Sequence, residues 1–226
     1  MKPVGILGGM GPEATILLMQ KCVGAVLAVD DADHIPLIVH QNPQVPSRIA
    51  ALIDGTGPDP TPVLQSMAHD LANAGATALA MPCNTAHHYA PAIRTATDLP
   101  FLDMLDVTAS ALVETGARKI GILASPATRI TGVFDTPFAA HGLTSVFLPN
   151  EAKTLALIRT VKAGSKGTEV EVALAVLATQ LMDQGCDHIL IACTEFSLLT
   201  DGLGPHIPWT DSLDCLTRAI VDFARS

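Results

Sequence analysis

The sequence predicts an α/β fold of two pseudo-symmetric lobes, each a mostly parallel sheet flanked by helices, with the active site in the cleft between them. Two observations predict this fold. Short apolar runs alternate with longer helical patterns along the 226 residues, as they do in chains built from βαβ units. A pattern of leucine, glycine and cysteine also occurs twice, with the copies 110 positions apart, so each half of the chain encodes a similar unit.

The strands and helices are predicted in order from the period of the apolar residues. The predicted strands are residues 4–8, 37–41, 78–81, 101–102, 119–124, 145–148 and 188–191. The predicted helices lie near residues 12–29, 62–74, 86–95, 104–115, 131–138, 151–161, 170–184 and 212–224. The helix at 170–184 is rich in alanine, the residue with the highest helix propensity. The Gly- and Pro-rich stretch 54–62 is predicted to be a loop.

The repeated pattern places one cysteine at the end of a strand in each lobe. Leu71 precedes Cys83 by twelve positions, Leu181 precedes Cys193 by twelve, and a glycine lies eight positions before each cysteine. Each copy predicts the end of a helix, a glycine stop, an apolar strand and a thiol at the carboxyl end of that strand. Ligands of open α/β sheets bind at the carboxyl ends of the strands, so the two thiols are expected on opposite sides of one cleft.

A second repeat supports a division into two domains. Residues 5–7 (Gly-Ile-Leu) recur as residues 121–123, 116 positions later. We place the crossing between the lobes near residue 103 and expect the last helix to return to the first lobe. The predicted domains are therefore residues 1–103 plus 210–226, and residues 104–209.

The composition favours an aliphatic core and argues against several classes of partner. Apolar residues make up 49% of the chain and charged residues only 15%. The net charge of −9 disfavours binding to nucleic acids and to anionic membrane surfaces. The longest apolar stretch, residues 16–29, is too short for a membrane span and contains Gln20 and Lys21. The first residues lack the features of a signal peptide, so a cytoplasmic protein is expected.

The five cysteines are expected to be free thiols, because nothing in the sequence indicates secretion. No C-x-x-C pair occurs. Cys186 and Cys193 lie on either side of a predicted strand, which is a poor geometry for joint zinc ligation. The sequence therefore predicts no metal site.

Two facing thiols suit a reaction in which a proton leaves one face of a carbon and returns to the other. A thiol at the amino terminus of a helix feels the helix dipole, so we expect lowered pKa values for Cys83 and Cys193. A pKa shift from about 8.5 to about 7 stabilises the thiolate by roughly 2 kcal/mol. The alternative is that each cysteine is a small buried apolar residue. The polar residues that follow them, 84–85 (Asn-Thr) and 194–195 (Thr-Glu), favour the functional interpretation.

The glycine-rich turn 8–12, between the first strand and the first helix, is a candidate for binding a carboxylate or a phosphate. It also satisfies the loose dinucleotide-binding pattern. That interpretation needs an acid at the end of the second strand, which instead ends in residues 41–43 (Gln-Asn-Pro). A tight turn without ligand contact is the remaining alternative.

Arg48 and Lys162 are the two cations with informative positions. Arg48 follows Ser47, a predicted N-cap, and a cation in the first turn of a helix opposes the helix dipole. A forked contact with a carboxylate would offset this cost, and a solvated surface arginine is the alternative. Lys162 lies where a helix ends, so the dipole alone accounts for a cation there.

His87 follows Cys83 by four residues, so it either faces the thiol or serves as a packed or capping histidine. A Cys-His hydrolase would use this pair, but it leaves the second thiol without a role. Ser125 lacks the G-x-S-x-G elbow of a serine hydrolase.

Four segments together carry a resemblance to a known family: residues 8–12, 42–48, 81–87 and 192–195. They resemble the aspartate racemase branch of the aspartate/glutamate racemase superfamily, and the resemblance extends over nearly the whole chain. It implies a 1,1-proton transfer at the α-carbon without a cofactor, two pseudo-symmetric lobes, a site between them and a homodimer. The expected substrates are L- and D-aspartate, with glutamate as a second candidate.

The resemblance also implies roles for individual residues. Cys83 and Cys193 are expected to be the paired acid and base, and Arg48 and Lys162 to hold the carboxylates of the substrate. Five further residues are expected to line the site and bind the α-amino and α-carboxylate groups: Met10, Asn84, Thr85, Thr194 and Glu195. The chain departs from the family pattern at Ala192, where a glycine is common, and in the loop 125–128, which bears on substrate preference.

Two other classes of function are kept as alternatives. One is a related decarboxylase or cis–trans isomerase that acts on a dicarboxylate. The other is a module that binds an acidic metabolite without catalysis, in which the thiols are bystanders.

Overall fold

Two four-stranded sheets, both parallel throughout, form the framework of the computed structural model, which describes residues 1–226. The first sheet has the order β2-β1-β3-β4 and consists of β1 (Val4–Gly8), β2 (Leu37–Gln41), β3 (Ala78–Ala80) and β4 (Phe101–Leu102). The second sheet has the order β6-β5-β7-β8 and consists of β5 (Lys119–Leu123), β6 (Thr144–Val146), β7 (His188–Ile191) and β8 (Trp209–Asp211). The two orders are equivalent, and the predicted fold of two similar lobes is confirmed.

Ten α-helices cover the sheets: α1 (Pro12–Gly24), α2 (Arg48–Leu52), α3 (Thr61–Asn73), α4 (Ala90–Ala96), α5 (Met104–Glu114), α6 (Pro126–Thr131), α7 (Asp135–His141), α8 (Ala152–Lys162), α9 (Thr168–Met182) and α10 (Ser212–Arg225). Short 3-10 helices occur at Asp31–Asp33, Thr85–Tyr89, Phe196–Leu198 and Thr200–Gly202. None of the helices has both the length and the apolar character that crossing a membrane requires.

The helix predictions are corrected at three places. The predicted helix 12–29 ends at Gly24, the residue with the least helical preference in that stretch apart from proline. The predicted helix 131–138 is divided between α6 and α7, because Gly132 adopts a left-handed conformation with φ of 60°. The predicted helix 86–95 begins as a 3-10 turn, since Pro91 has no N–H to bond to the carbonyl one turn earlier.

The strand predictions are corrected at four places. The predicted strands 78–81 and 119–124 each end one residue earlier, at Ala80 of β3 and Leu123 of β5. The sequence pattern missed β8, which has only three residues and contains two polar side chains. It becomes a strand because it pairs with β7 along Ile189–Ile191. The predicted strand 145–148 is observed as β6, which begins one residue earlier and ends at Val146.

Within each lobe, the glycine of the Gly-Ile-Leu repeat packs against the leucine of the leucine–glycine–cysteine repeat. Gly5 of β1 lies against α3, and a Cβ on Gly5 would come within 3.1 Å of the Leu71 Cβ atom. Gly121 of β5 lies in the same way against α9, and a Cβ there would come within 2.9 Å of the Leu181 Cβ atom. Each glycine therefore allows close helix–sheet packing against the leucine of the other repeat.

The last helix packs on the first sheet, as expected from the sequence. Leu213 and Ile220 of α10 share a buried apolar cluster with Ile6 of β1 and Leu18 of α1. The helix α5 instead packs on the second sheet, where its leucines lie against β5. Two further clusters of buried apolar side chains, one in each lobe, cover the other face of each sheet. The boundaries of the two predicted domains stay a prediction.

Candidate active site

A cavity lies at the carboxyl ends of the strands of both sheets, with about 460 Å³ of space between its walls, part of it open to solvent. It is lined by segments that follow β1, β3, β5 and β7, and by side chains from α2 and α8. The structure brings together all nine side chains that the sequence singled out: Met10, Arg48, Cys83, Asn84, Thr85, Lys162, Cys193, Thr194 and Glu195.

The two cysteines follow equivalent strands but have different surroundings. Cys83 follows β3 and is partly exposed, whereas Cys193 follows β7 and is buried. The Cys193 Sγ donates a hydrogen bond to Glu195 Oε2 at 3.0 Å. Burial raises the pKa of Cys193 well above that of an ordinary thiol, and the Glu195 carboxylate raises this pKa further.

The expectation that the pKa of Cys193 is lowered is therefore wrong. The residues after Cys193 form a 3-10 helix at Phe196–Leu198 rather than an α-helix, so the helix dipole on which the expectation rested is small. The nearest strong charge is instead the negative carboxylate two residues away. Cys193 is thus held in the thiol form, the form that can donate a proton.

Lys162 and Glu195 form an ion pair next to the Cys193 thiol. The Lys162 Nζ lies 3.1 Å from Glu195 Oε1, so one carboxylate contacts the thiol through one oxygen and the ammonium through the other. Burial acts to lower the pKa of Lys162, but the Glu195 carboxylate outweighs it and the pKa is raised. Lys162 therefore carries its positive charge at neutral pH and offsets part of the charge of Glu195.

Arg48 enters the cavity from the first lobe. Ser47 caps α2 as predicted, since its Oγ accepts a hydrogen bond from the Ala50 N–H at 3.2 Å. The Arg48 Nη1 atom donates to the carbonyls of Val45 and Pro46 at 3.2 and 2.9 Å. These bonds hold the guanidinium beside the loop and leave its remaining N–H groups without a partner in the protein.

The glycine-rich turn is shaped by the loop opposite it. Gly9 has φ of 95°, and a Cβ on Gly9 would collide with the backbone of Asn42. The Gly9 N–H donates to Thr15 Oγ1 at 2.9 Å, which ties the turn to α1. The turn thus joins two of the segments that carry the family resemblance, and it places the buried Met10 in the cavity wall.

Asn84 and Thr85 tie the segment after β3 to two helices, and the Thr85 contact crosses between the lobes. Asn84 Nδ2 donates to Ser212 Oγ at 2.9 Å, and Thr85 Oγ1 lies at hydrogen-bond distance, 2.9 Å, from Thr128 Oγ1 in α6. Asn84 is only 2% exposed, and its Oδ1 atom has no hydrogen-bond partner. Asn84 is one of the residues that line the cavity, and a buried polar atom without a hydrogen-bond partner calls for an explanation.

His87 serves as a buried bridge, not as a partner of the thiol. Its Nδ1 bonds to the Cys83 carbonyl at 2.8 Å, and its Nε2 accepts a hydrogen bond from the Met104 N–H at 3.2 Å. These two bonds require a neutral ring with its proton on Nδ1. Burial lowers the pKa of His87, although the nearby Asp103 carboxylate opposes that shift.

The role of His87 predicts a pH-dependent stability. Because the pKa of His87 is lower in the folded chain than in the unfolded chain, the unfolded chain binds the extra proton as the pH falls below about 6.5. The free energy of unfolding should therefore drop at low pH, by at most about 1.4 kcal/mol per pH unit from this group. In His87→Gln, whose amide can make both bonds, this part of the drop should vanish.

Chemical denaturation between pH 7.5 and 5 measures this difference between wild type and His87→Gln. The control is His69→Gln, which changes an exposed histidine of α3 and should keep the wild-type pH dependence. A difference between wild type and His87→Gln that stays constant over this pH range would contradict the assigned role.

Some residues of the site carry no signal in the sequence. Ser212 does not line the cavity but contacts Asn84 from 128 positions further along the chain, and nothing in its local sequence marks it. Ile49 and Ile158 provide apolar parts of the wall and look like ordinary core positions. No group of three or more His, Cys, Asp or Glu side chains is arranged to hold a metal ion.

Comparisons with known proteins agree with this geometry. A family model described as Asp/Glu/Hydantoin racemase matches residues 7–220. The chain is 25% identical over 232 residues to the broad specificity amino-acid racemase RacX of Bacillus subtilis (strain 168), a match that covers 96% of both chains. The aspartate racemase of Picrophilus torridus superposes with a TM-score of 0.85 at 27% identity, covering 100% of this chain and 95% of that one.

A putative Asp/Glu racemase from Yersinia pestis shares the fold as well, with a TM-score of 0.77, 24% identity and full coverage of both chains. The family model spans nearly the whole chain, and the equivalent sheets and the cavity between them are those of a two-lobed α/β fold. The chain therefore belongs to the Asp/Glu/Hydantoin racemase family and is an isomerase, an amino-acid racemase.

Proposed function

We propose that the protein interconverts L- and D-aspartate, with glutamate as a second substrate, by proton transfer between two cysteines and without a cofactor. The observation that carries this proposal is the pair of thiols, Cys83 and Cys193, which follow equivalent strands of the two sheets and line one cavity. A carbon held between them presents one face to each thiol. One thiolate removes the α-proton, and the opposite thiol delivers a proton to the other face.

The cations support an acidic substrate. Arg48 from the first lobe and Lys162 from the second both line the cavity. A wider opening lies beside the cavity, lined in part by the glycine-rich turn and by residues 43–48, and the same two cations border it. An aspartate has two carboxylates, and a cation from each lobe suits a ligand that spans the cleft. The racemase from Picrophilus torridus named above is an aspartate racemase, whereas the Bacillus subtilis relative is named for broad specificity.

The surroundings of Cys193 suggest how the two thiols divide the work. Cys193 holds its proton in a hydrogen bond to Glu195, so in one direction it is the acid and deprotonated Cys83 is the base. After that turnover Cys83 carries the proton from the substrate and Cys193 is the thiolate, so the reverse reaction exchanges the roles. The positive charges of Arg48 and Lys162 stabilise the negative charge that develops on the substrate carboxylate.

The remaining lining residues are proposed to orient the amino-acid backbone. Met10 contributes an apolar surface, while Asn84, Thr85 and Thr194 offer polar groups that are almost completely buried. Glu195 was first expected to bind the substrate directly, but its two carboxylate oxygens already contact Cys193 and Lys162. We propose that Glu195 instead sets the protonation of Cys193.

The experiment that tests the proposed function is a screen of L- and D-amino acids by chiral chromatography, with aspartate and glutamate first. Formation of the opposite enantiomer of aspartate is the expected result. Loss of carbon dioxide from a dicarboxylate, or its cis–trans isomerisation, would favour the related enzyme classes instead. Tight binding of aspartate with no change of configuration would favour a binding module.

We also propose a cytoplasmic homodimer. The outer face of α1 and the residues after it carry exposed apolar side chains, with Ile16 and Val23 about half exposed and Leu27 and Val29 fully exposed. A second copy of the chain would remove this apolar surface from water. Sedimentation equilibrium should give twice the chain mass of 23.5 kDa, and a mass of one chain would contradict the dimer.

A further inference from the structure

The Ser212 hydroxyl joins the two cysteine segments across the cleft. Ser212 is completely buried at the start of α10. Its Oγ donates to the Ile191 carbonyl at 2.9 Å and accepts from Asn84 Nδ2 at 2.9 Å. Asn84 directly follows Cys83, and Ile191 precedes Cys193 by two positions. A single hydroxyl therefore connects the ends of β3 and β7, the strands that present the two thiols.

The direction of these bonds determines how the Asn84 amide is turned. A carbonyl oxygen can only accept, so the single Ser212 proton is directed to Ile191. The Ser212 oxygen can then only accept, and the Asn84 atom facing it must be the NH₂ group. The amide oxygen of Asn84 is thereby turned away from Ser212, and it is the atom that has no partner in the protein.

We propose that Ser212 is a positioning residue that makes the amide oxygen of Asn84 the ligand-facing atom and thereby selects the α-ammonium group of the substrate. An ammonium donates hydrogen bonds and would satisfy this buried acceptor, whereas a carboxylate only accepts and is repelled by it. If the amide were reversed, its NH₂ group would attract a carboxylate instead. This inference deepens the proposed function and rests on it for the identity of the substrate.

The Ser212 hydroxyl is not needed to cap α10, because its neighbours do so. The N-cap of α10 is Asp211, whose Oδ1 accepts from the Leu213 N–H at 2.8 Å. Ser197 donates to the same carboxylate oxygen at 2.9 Å, so it braces the cap without touching Asn84. Ser197→Ala is therefore a matched control for Ser212→Ala, since each variant removes one buried serine hydroxyl in the same region.

The first measurement uses the protein without ligand. The side-chain amide of Asn84 is recorded in a ¹H–¹⁵N spectrum and assigned by its loss in Asn84→Asp. Ser212→Ala should shift these resonances and speed their exchange with water, and Ser197→Ala should leave them in place. Unchanged Asn84 resonances in a folded Ser212→Ala protein would overturn the proposal.

The second measurement compares the affinities for aspartate and for succinate, which lacks the ammonium group. The wild type should prefer aspartate, and Ser212→Ala should reduce this preference about tenfold, while Ser197→Ala keeps it. Ser212→Cys, which keeps a weaker donor and acceptor, should lose part of the preference and serves if Ser212→Ala does not fold. An unchanged preference in both Ser212 variants would overturn the proposal.

The two measurements separate this inference from the proposed function. If the wild type neither binds nor racemises aspartate, the proposed substrate is wrong, and the amide spectrum alone then decides whether Ser212 orients Asn84. If the wild type racemises aspartate but the Ser212 variants keep the wild-type spectrum and ligand preference, the function stands and the inference fails.

Discussion

Replacing either Cys83 or Cys193 by alanine is expected to abolish racemisation of aspartate, with kcat lowered by about 10³-fold or more. Each thiol faces the cavity from a different lobe, so neither can reach the face of the α-carbon that the other serves. A single remaining thiol could still remove a proton, but it would return the proton to the same face. Both variants should be assayed in both directions by chiral chromatography.

Cys186→Ala is the matched control for the two cysteine variants. Cys186 is also a buried free thiol of the second lobe, but it packs in the apolar core and does not line the cavity. This variant should keep the wild-type rate. Full racemase activity in Cys83→Ala or in Cys193→Ala would rule out the two-thiol mechanism.

Replacing Lys162 by methionine is expected to lower kcat/KM for aspartate about 100-fold, because one cation of the cavity is lost. The same change removes the positive charge that acts to lower the pKa of Cys193. The limb of the pH–rate profile that reports Cys193 should therefore move to higher pH. In Glu195→Gln the negative charge that raises this pKa is lost, so the limb should move to lower pH.

The double variant Lys162→Met/Glu195→Gln tests whether the two side chains act on Cys193 together. Because the two charges have opposite effects on the pKa of the thiol, the pH–rate profile should return toward that of the wild type. Lys166→Met is the control, since Lys166 is exposed and pairs with Glu13 at 2.8 Å outside the cavity wall. If the pH–rate profile moved in the same direction in both single variants, the assigned contacts among Lys162, Glu195 and Cys193 would be contradicted.

The fold could be predicted from the sequence where a strand or a helix is determined by its own local residues. Strands β1, β2, β4 and β7 have the predicted bounds, because each is an apolar run between turn residues. The strand β8 was missed because its three residues are held by pairing with β7 rather than by an apolar pattern. The division between α6 and α7 depends on the left-handed Gly132, whose conformation a helical period does not reveal.

The placement of the candidate site residues was also predictable to a large degree. Ligands of open α/β sheets bind at the carboxyl ends of the strands, so two lobes that share one cleft were expected to place Cys83 and Cys193 there. The chemical state of Cys193 was not predictable in this way, because it depends on burial and on the direction in which Glu195 points. Ser212 was missed because it lies 128 positions from Asn84 and has no distinguishing local sequence.

The most direct test of the two-thiol account is the fate of the α-hydrogen when L-aspartate is incubated with the enzyme in deuterated water. The account predicts that the first D-aspartate formed carries deuterium at the α-carbon, while the remaining L-aspartate keeps its hydrogen, because the donor thiol exchanges with solvent and faces only one side. Deuterium that enters L-aspartate as fast as D-aspartate forms, or D-aspartate that retains the original hydrogen, would contradict the account.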